Sequence, residues 1–372
     1  MIHMVAPCAM GLESVVSQEL KFLQMQSVKA EDRRVFFEGS MSDMARANIN
    51  LRAADRILIV LGRFTAKTFD DLFEGVKVLP LENFIGSKDA FPVKGNSLQS
   101  NLHSVPNCQA IVKKAVAIRL GTKYKQQWLT ESGPVKQLQF LILKDEVTLM
   151  LDTSGENLHK RGYRPLAHEA PIRETLAAGI LSLAHMWNKK ELLDPMCGSG
   201  TFLIEGALMA RKIAPGILRR FAAERFGTVF GGEESIAKLF TMERERARSF
   251  EKNMVNFQAF GWDNDPSAVE LTRQNAIRAR VQDSVHAKLG ELKTFSYNHE
   301  TACVVTNPPY GERLLDVEQA QKIYKLLGQV LLNGNRSIIT PDRDFEKRFG
   351  RNANKRRKLY NGKIPCQLYM YF

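Results

Sequence analysis

Apolar residues along the chain recur either at every second position or three and four apart, and the two periods alternate. Over the first sixty-odd residues they predict strands at Ile2–Pro7, Val35–Glu38 and Arg56–Leu61, with helices at Gly11–Phe22 and Met41–Ala53. That order suggests an α+β unit of ferredoxin-like character. A helix over Phe69–Phe84, an extended Ala90–Leu98 and a long helix over Val105–Lys125 follow. A hairpin then runs from Val135–Phe140 to Asp152, turning at Lys144–Asp145–Glu146. Between Thr153 and Pro171 the chain becomes polar, aromatic and basic, with two prolines, and the domain junction is placed there.

Beyond Pro171 strands and helices alternate. Helices are expected at Ile172–Trp187, Thr201–Ile213, Pro266–Ala279 and Val317–Leu332. Strands are expected at Glu191–Leu193, up to Phe260–Trp262, and at Val285–Leu289, Ala302–Thr306 and Ser337–Thr340. The pattern predicts an α/β, doubly wound, mainly parallel sheet of the Rossmann type. Lys358–Tyr360 and Gln367–Phe372, split by Asn361–Gly362, predict a C-terminal antiparallel hairpin at one edge. The long interval from Arg211 to Phe260 reads as a helical insertion.

Composition narrows the function. A chain of 372 residues predicts two or three domains. No apolar run is long enough to cross a bilayer, and the first ten residues do not form a signal peptide. The five cysteines are scattered, with no C-x-x-C pair. This argues against disulfides and against a metal site and suits the cytoplasm. His159 and His168 stand without a cluster and are read as hydrogen-bonding residues. Nothing in the sequence sets an oligomeric state. The net charge of +13 favours a polyanionic partner. It is unevenly spread: residues 1–153 hold 19 basic and 16 acidic side chains, whereas residues 342–363 hold nine and three.

Two motifs carry the chemistry. Asp194–Pro195–Met196–Cys197–Gly198–Ser199–Gly200–Thr201 lies between a predicted strand and a helix. Glycine there lets backbone approach a ligand closely. The turn is not a dinucleotide fingerprint, because Leu203 stands where the third glycine would be. Asp194 would repel pyrophosphate but could hold the ammonium of an aminoacyl sulfonium cofactor. At the end of the next strand Asp263 and Asn264 suit a ribose, while Asp265 with Pro266 reads mainly as a helix cap. The second motif, Asn307–Pro308–Pro309–Tyr310–Gly311, follows a buried strand. The Asn307 amide oxygen and the Pro308 carbonyl could accept the two hydrogens of an exocyclic amine and aim its lone pair at a methyl group. Pro308 and Pro309 offer no competing N–H, and Tyr310 offers a face for an unstacked base.

These motifs resemble those of the amino-methylating branch of Rossmann-fold methyltransferases. The junction Leu158–His159–Lys160–Arg161–Gly162–Tyr163–Arg164, the stretch Ala170–Pro171–Ile172–Arg173–Glu174–Thr175–Leu176–Ala177–Ala178 and Ala214–Pro215–Gly216 narrow the resemblance. Together they resemble the THUMP-domain guanine-N2 methyltransferases of large-subunit (23S) ribosomal RNA. The resemblance implies a ferredoxin-like domain over residues 1–64, a THUMP RNA-binding domain over 65–155, and a single methyltransferase domain over 156–372. It also implies S-adenosyl-L-methionine as cofactor and RNA as partner, ribosomal RNA foremost and tRNA second. One departure stands out, since Glu291 occupies the place of the Asp that contacts adenine in that family.

For RNA contact the candidates are Lys113, Lys114, Lys123 and Lys125 with Trp128 nearby, the junction residues Arg161, Tyr163 and Arg164, and the run Lys355, Arg356, Arg357 and Lys358. Each run has a plain alternative as a solvated face. Asn-Pro-Pro-Tyr serves several amino groups, so tRNA guanine N2 and adenine N6 stay open as acceptors. An RNA-binding assembly factor with a vestigial methyl site is the non-enzymatic alternative, and a dinucleotide oxidoreductase is a distant third.

Overall fold

The computed structural model describes residues 1–164, 172–227, 235–310 and 317–372. His168, Ala170, Pro171 and Gly311, named above, lie outside the described residues.

The first half of the chain builds one seven-stranded sheet. It begins with β1 (Ile2–Pro7), α1 (Glu13–Phe22), β2 (Gln26–Glu31), β3 (Arg34–Gly39), α2 (Met41–Asn50) and β4 (Leu58–Thr65). It continues with α3 (Phe69–Lys77), β5 (Val93–Leu98), α4 (Val105–Tyr124), β6 (Leu138–Leu143) and β7 (Glu146–Asp152). The strand order is β2-β3-β1-β4-β7-β6-β5, so β4 pairing with β7 fuses the two expected N-terminal units into a single sheet. Local signals explain several boundaries. Ser40 with Asp43 and Thr68 with Asp71 form reciprocal capping boxes that start α2 and α3. α3 ends three residues before Pro80, earlier than the apolar pattern suggested. β2 escaped the sequence reading because this edge strand has only two apolar residues, Val28 and Ala30, too short an alternation to stand out.

The second half carries α5 (Glu174–Leu183), β8 (Glu191–Asp194), α6 (Thr201–Ala210), α7 (Ile236–Ser249), β9 (Gln258–Asp263), α8 (Pro266–Arg278) and β10 (Val285–Leu289). After these come β11 (Ala302–Thr306), α9 (Val317–Val330), β12 (Asn335–Thr340), α10 (Phe345–Phe349), β13 (Lys355–Asn361) and β14 (Ile364–Tyr371). The order β10-β9-β8-β11-β12-β14-β13 has five parallel strands and an antiparallel hairpin at one edge. This is the doubly wound sheet the alternation predicted. β11 and β12 are buried along their whole length, as strands covered on both faces must be.

The two halves share one apolar core running from Met4 to Met370. A Cβ on Gly179 of α5 would lie 2.5 Å from Leu12 of the N-terminal unit, so the bare backbone sets how closely the two approach. The insertion helix α7 docks on α2, where the buried Glu243 pairs with Arg46 at 3.3 Å.

Candidate active site

The path of the second sheet reverses between β8 and its neighbour β11. In open α/β sheets ligands bind outside the strand ends at such a switch point. The two loops leaving these strands are 195–200 and 307–310, so the topology brings both sequence motifs into one crevice.

Asp194 ends β8 and is 2% exposed. Its Oδ1 accepts hydrogen bonds from Thr306 Oγ1 at 2.8 Å and from Met196 N at 3.1 Å. Burial pushes the carboxyl up to about 7 against those two bonds, and the charge of Asp263 adds to the rise. A buried acid raised in this way is matched to a cationic ligand, which would restore its ionised form.

The glycine turn is pinned from outside. Gly200 N donates to Cys197 O at 2.8 Å, Cys197 N to Trp262 O at 2.9 Å, and Gly198 N to Asp263 Oδ2 at 2.8 Å. From α8, Thr272 Oγ1 donates to Gly198 O at 2.7 Å and Asn275 Nδ2 to Ser199 O at 3.1 Å. Gly198 and Gly200 both have positive φ, 52° and 76°. A Cβ on Gly200 would meet Thr272 Cγ2 at 2.5 Å, whereas one on Gly198 would meet nothing within 4 Å. Gly200 therefore serves packing, and Gly198 presents open backbone to the crevice, as a closely approaching ligand requires. Pro195, Cys197 and Thr201 are buried parts of the turn and of the first residue of α6.

The second acidic position is half-buried, and both oxygens of Asp263 take backbone N–H groups, Gly198 on one and Asp265 on the other. Asn264 beside it is exposed. Asp265 caps α8 through Ser267 N at 2.8 Å. Glu291 follows β10 as an exposed side chain paired with Lys293 at 2.5 Å. Against Trp262 it is Gly290 that packs, where a Cβ would stand 2.9 Å from Cδ1.

Asn307 is half-buried at the end of β11, and Pro308 is buried behind it. The Pro309 carbonyl accepts from Tyr324 OH at 3.3 Å, and that hydroxyl accepts from Thr340 Oγ1 at 3.0 Å, so a buried pair holds the rim. Tyr310 differs from expectation. Its ring packs on the main core and its hydroxyl donates to Asn307 Oδ1, near Asn361 Nδ2 at 3.5 Å. The phenol thus occupies the acceptor that the sequence reading reserved for a substrate amine. Burial raises its hydroxyl well above the usual tyrosine range.

Sequence reasoning missed Thr306, Thr272, Asn275 and Tyr324. A signal existed for the first three. Thr306 is the one polar residue of a buried strand, and Thr272 and Asn275 are fully buried polar residues one turn apart on a helix.

Comparison with known proteins agrees with this fold. Residues 161–370, more than half the chain, match the model of the RMKL-like methyltransferase domain. Residues 3–58 match an RlmL ferredoxin-like domain and 66–152 a THUMP domain. The chain belongs to the RMKL-like methyltransferase family. Its methyl donor is S-adenosylmethionine, and the raised Asp194 and the open Gly198 backbone fit that cofactor. YpsC of Bacillus subtilis (strain 168), a candidate RNA methyltransferase by name, is 38% identical over 99% of this chain and 95% of its own. The ribosomal RNA large subunit methyltransferase K/L of Cellvibrio japonicus (strain Ueda107) is 32% identical over all of this chain, which spans 51% of that protein. Among solved structures, SMU.472, a candidate methyltransferase in complex with S-adenosylhomocysteine, is 40% identical with a TM-score of 0.91, covering 100% of this chain and 98% of its own. A protein of Listeria monocytogenes named as an N6-adenine-specific DNA methylase is also 40% identical, with a TM-score of 0.89 over 100% and 96% of the two chains.

Within this methyltransferase the expected RNA contacts are redistributed. Arg161 and Tyr163, 3% and 2% exposed, are turned inward. Arg161 donates to Leu158 O and Arg52 O and faces Glu205 at 3.5 Å, and Tyr163 OH donates to Glu205 Oε1 at 3.1 Å. Arg164 is buried between Glu174 at 2.9 Å and Thr201 Oγ1 at 2.7 Å. These three correct the sequence reading. Charged side chains in a buried junction need internal partners, and here they join the N-terminal unit to α6. Lys113 is held by Glu131 at 2.5 Å and by the face of Phe91, and Lys123 sits 3.8 Å from Glu82. Lys114, Lys125 and Trp128 remain exposed on or just after α4. In the C-terminal run, Arg356 pairs with Glu346 at 2.6 Å. Arg357 donates to Gly11 O and Ser14 Oγ, fastening β13 to the N-terminal unit, while Lys355 is exposed. Among the described residues no group of three potential metal ligands occurs, and no helix is long and apolar enough to cross a membrane.

Proposed function

We propose that this chain methylates an exocyclic amino group of a base in RNA, guanine N2 of large-subunit ribosomal RNA, in the cytoplasm. The observation that carries the reading is the switch-point crevice, where Asp194 and Asn307 end adjacent parallel strands and Thr306 joins one strand to the other at 2.8 Å.

The cofactor, when bound, supplies an electrophilic methyl group on a sulfonium. The chain's own residues do the rest. Asp194 takes the cationic amino-acid end, and the open backbone at Gly198 admits the cofactor while Asp263 and Asn264 face its ribose. Asn307 Oδ1 and the Pro308 carbonyl accept the two hydrogens of the target amine, so that its lone pair turns towards the methyl group. Positioning of this kind supplies most of the acceleration. The incoming amine has to replace the Tyr310 hydroxyl on Asn307, which releases the ring to meet the base. The ribosomal RNA target draws on the THUMP match and on the K/L methyltransferases, and the guanine on the family resemblance of the junction.

The test offers labelled S-adenosylmethionine with unmodified large-subunit ribosomal RNA, tRNA or DNA, followed by nucleoside analysis. N2-methylguanosine from the ribosomal RNA alone is the expected product. Asn307→Ala should lose at least about a hundredfold in turnover while still binding S-adenosylhomocysteine. Methylated adenine, which the Listeria neighbour's name makes the second reading, would move the target while keeping the enzyme. Failure to bind S-adenosylhomocysteine at all would refute the cofactor assignment.

A further inference from the structure

Residues 342–363 hold nine basic and three acidic side chains, and the structure shows which of the nine are committed elsewhere. Each carboxylate has its own cation: Asp342 pairs with Arg348, Asp344 with Lys347 and Glu346 with Arg356. Of the remaining cations, Arg351 donates to the carbonyls of Leu331 and Leu332 beyond α9. Arg357 is bound to Gly11 and Ser14, and Lys355 opens β13 opposite Met370, at the end of the hairpin away from its turn. Arg343, Lys358 and Lys363 are left. All three are exposed, and among the described residues none is paired with a carboxylate.

Their positions follow from strand register. Thr340, the last residue of β12, faces Gln367 of β14, which in turn faces Lys358 of β13. Two inter-strand steps put Lys358 about 10 Å from Thr340. Arg343 lies in the loop just beyond Thr340, and Lys363 in the turn joining β13 to β14. β12 runs parallel to β11, so this is the end of the sheet from which Asn307 emerges. The hairpin touches the catalytic loop directly, through Asn361 Nδ2 and the Tyr310 hydroxyl at 3.5 Å. Half-buried Tyr360 stands in the same hairpin, with Lys358 5.9 Å from its ring.

We infer that Arg343, Lys358 and Lys363 form a phosphate track that leads the RNA strand flanking the target base across the β13–β14 hairpin to Asn307. The inference rests on the reading that RNA is the substrate. Paired cations would have to give up a carboxylate to bind phosphate, whereas these three exchange only counterions. Each contact to a single strand adds roughly −0.7 to the slope of log affinity against log salt, so the three together account for a slope of about −2.

The experiment measures binding of the full chain to an unmodified transcript of large-subunit ribosomal RNA across a salt series. Wild type is compared with the triple variant Arg343→Gln, Lys358→Gln, Lys363→Gln, and with a control triple variant Lys347→Gln, Lys355→Gln, Arg356→Gln. The track predicts a loss of roughly tenfold or more in RNA affinity at low salt and a slope shallower by about 2 for the first variant. It predicts a smaller change for the control, with S-adenosylhomocysteine affinity and melting temperature unaltered in both. Wild-type RNA binding with an unchanged slope in the first variant would overturn the track alone. A wild-type chain that does not retain RNA would overturn the substrate reading and the track with it. Equal competition by duplex DNA of the same length would overturn the assignment to an RNA strand.

Discussion

Asp194 concentrates the electrostatics of the site in one side chain. An acid whose value is raised on folding contributes stability at low pH that is lost as pH rises through its folded-state value. With an ordinary value of 3.8 and a folded value of about 7, Asp194 should cost the ligand-free protein stability between about pH 4 and 7. A cationic ligand favours the ionised form, so S-adenosylhomocysteine affinity should rise about tenfold from pH 6 to 8 and then level off. Asp194→Asn should raise the ligand-free melting temperature at pH 8 and flatten the affinity profile. Titration calorimetry showing the same pH dependence in both proteins would remove Asp194 from the cofactor's amino group. Tyr310 can be divided in the same way. Tyr310→Phe removes the hydroxyl that occupies Asn307 while keeping the ring, so kcat/KM should hold or rise. Tyr310→Ala should lose roughly ten- to hundredfold if base stacking of about 1–3 kcal/mol is at stake. Equal losses in the two variants would argue that the ring does not meet the base.

At the scale of elements, the glycine turn after β8 is a loop fixed by the helix across from it. Thr272 and Asn275 of α8 hold the carbonyls of Gly198 and Ser199. The two glycines should therefore fail differently. Gly200→Ala forces a Cβ into Thr272 at 2.5 Å as well as a strained φ, and should lower stability by about 2 kcal/mol or more. Gly198→Ala meets open space and carries only the left-handed strain, about 1 kcal/mol, yet fills the crevice. It should leave the melting temperature nearly unchanged and still weaken S-adenosylhomocysteine binding. Thermal melts with and without the ligand separate the two, and an equal ligand-free loss in both would contradict the geometry.

Across the whole molecule, the N-terminal sheet and the catalytic sheet are joined by a buried polar seam. Arg161 links Arg52 of one half to Glu205 of the other, and Tyr163 shares Glu205. Removing one partner of a buried pair strands the other, so Arg161→Ala should destabilise the protein by about 3–5 kcal/mol. Below the melting transition its RNA affinity and salt slope should stay near wild type. A lowered slope with an unchanged melting temperature would instead return Arg161 to the RNA surface. Arg164 ties the same junction to Thr201, so the mounting of the N-terminal unit reaches the first residue of α6.

Much of this was legible in the chain itself. Alternating periods determined the doubly wound sheet, and motif position determined that Asp194, Gly198, Gly200 and Asn307 sit at strand ends, because local patterning and backbone preference act over a few residues. The fusion of the first two units into one sheet was not legible, since β4–β7 pairing joins residues nearly ninety apart, and β2, with Val28 and Ala30 its only apolar residues, left too short a period to read. Nor could charge alone distinguish Arg161, Arg356 and Arg357 from Arg343, Lys358 and Lys363. All six are the same chemistry in sequence. Only the tertiary structure decided which cations are held by a partner brought from elsewhere in the chain and which still face water, because that choice depends on what lies across a sheet or a junction.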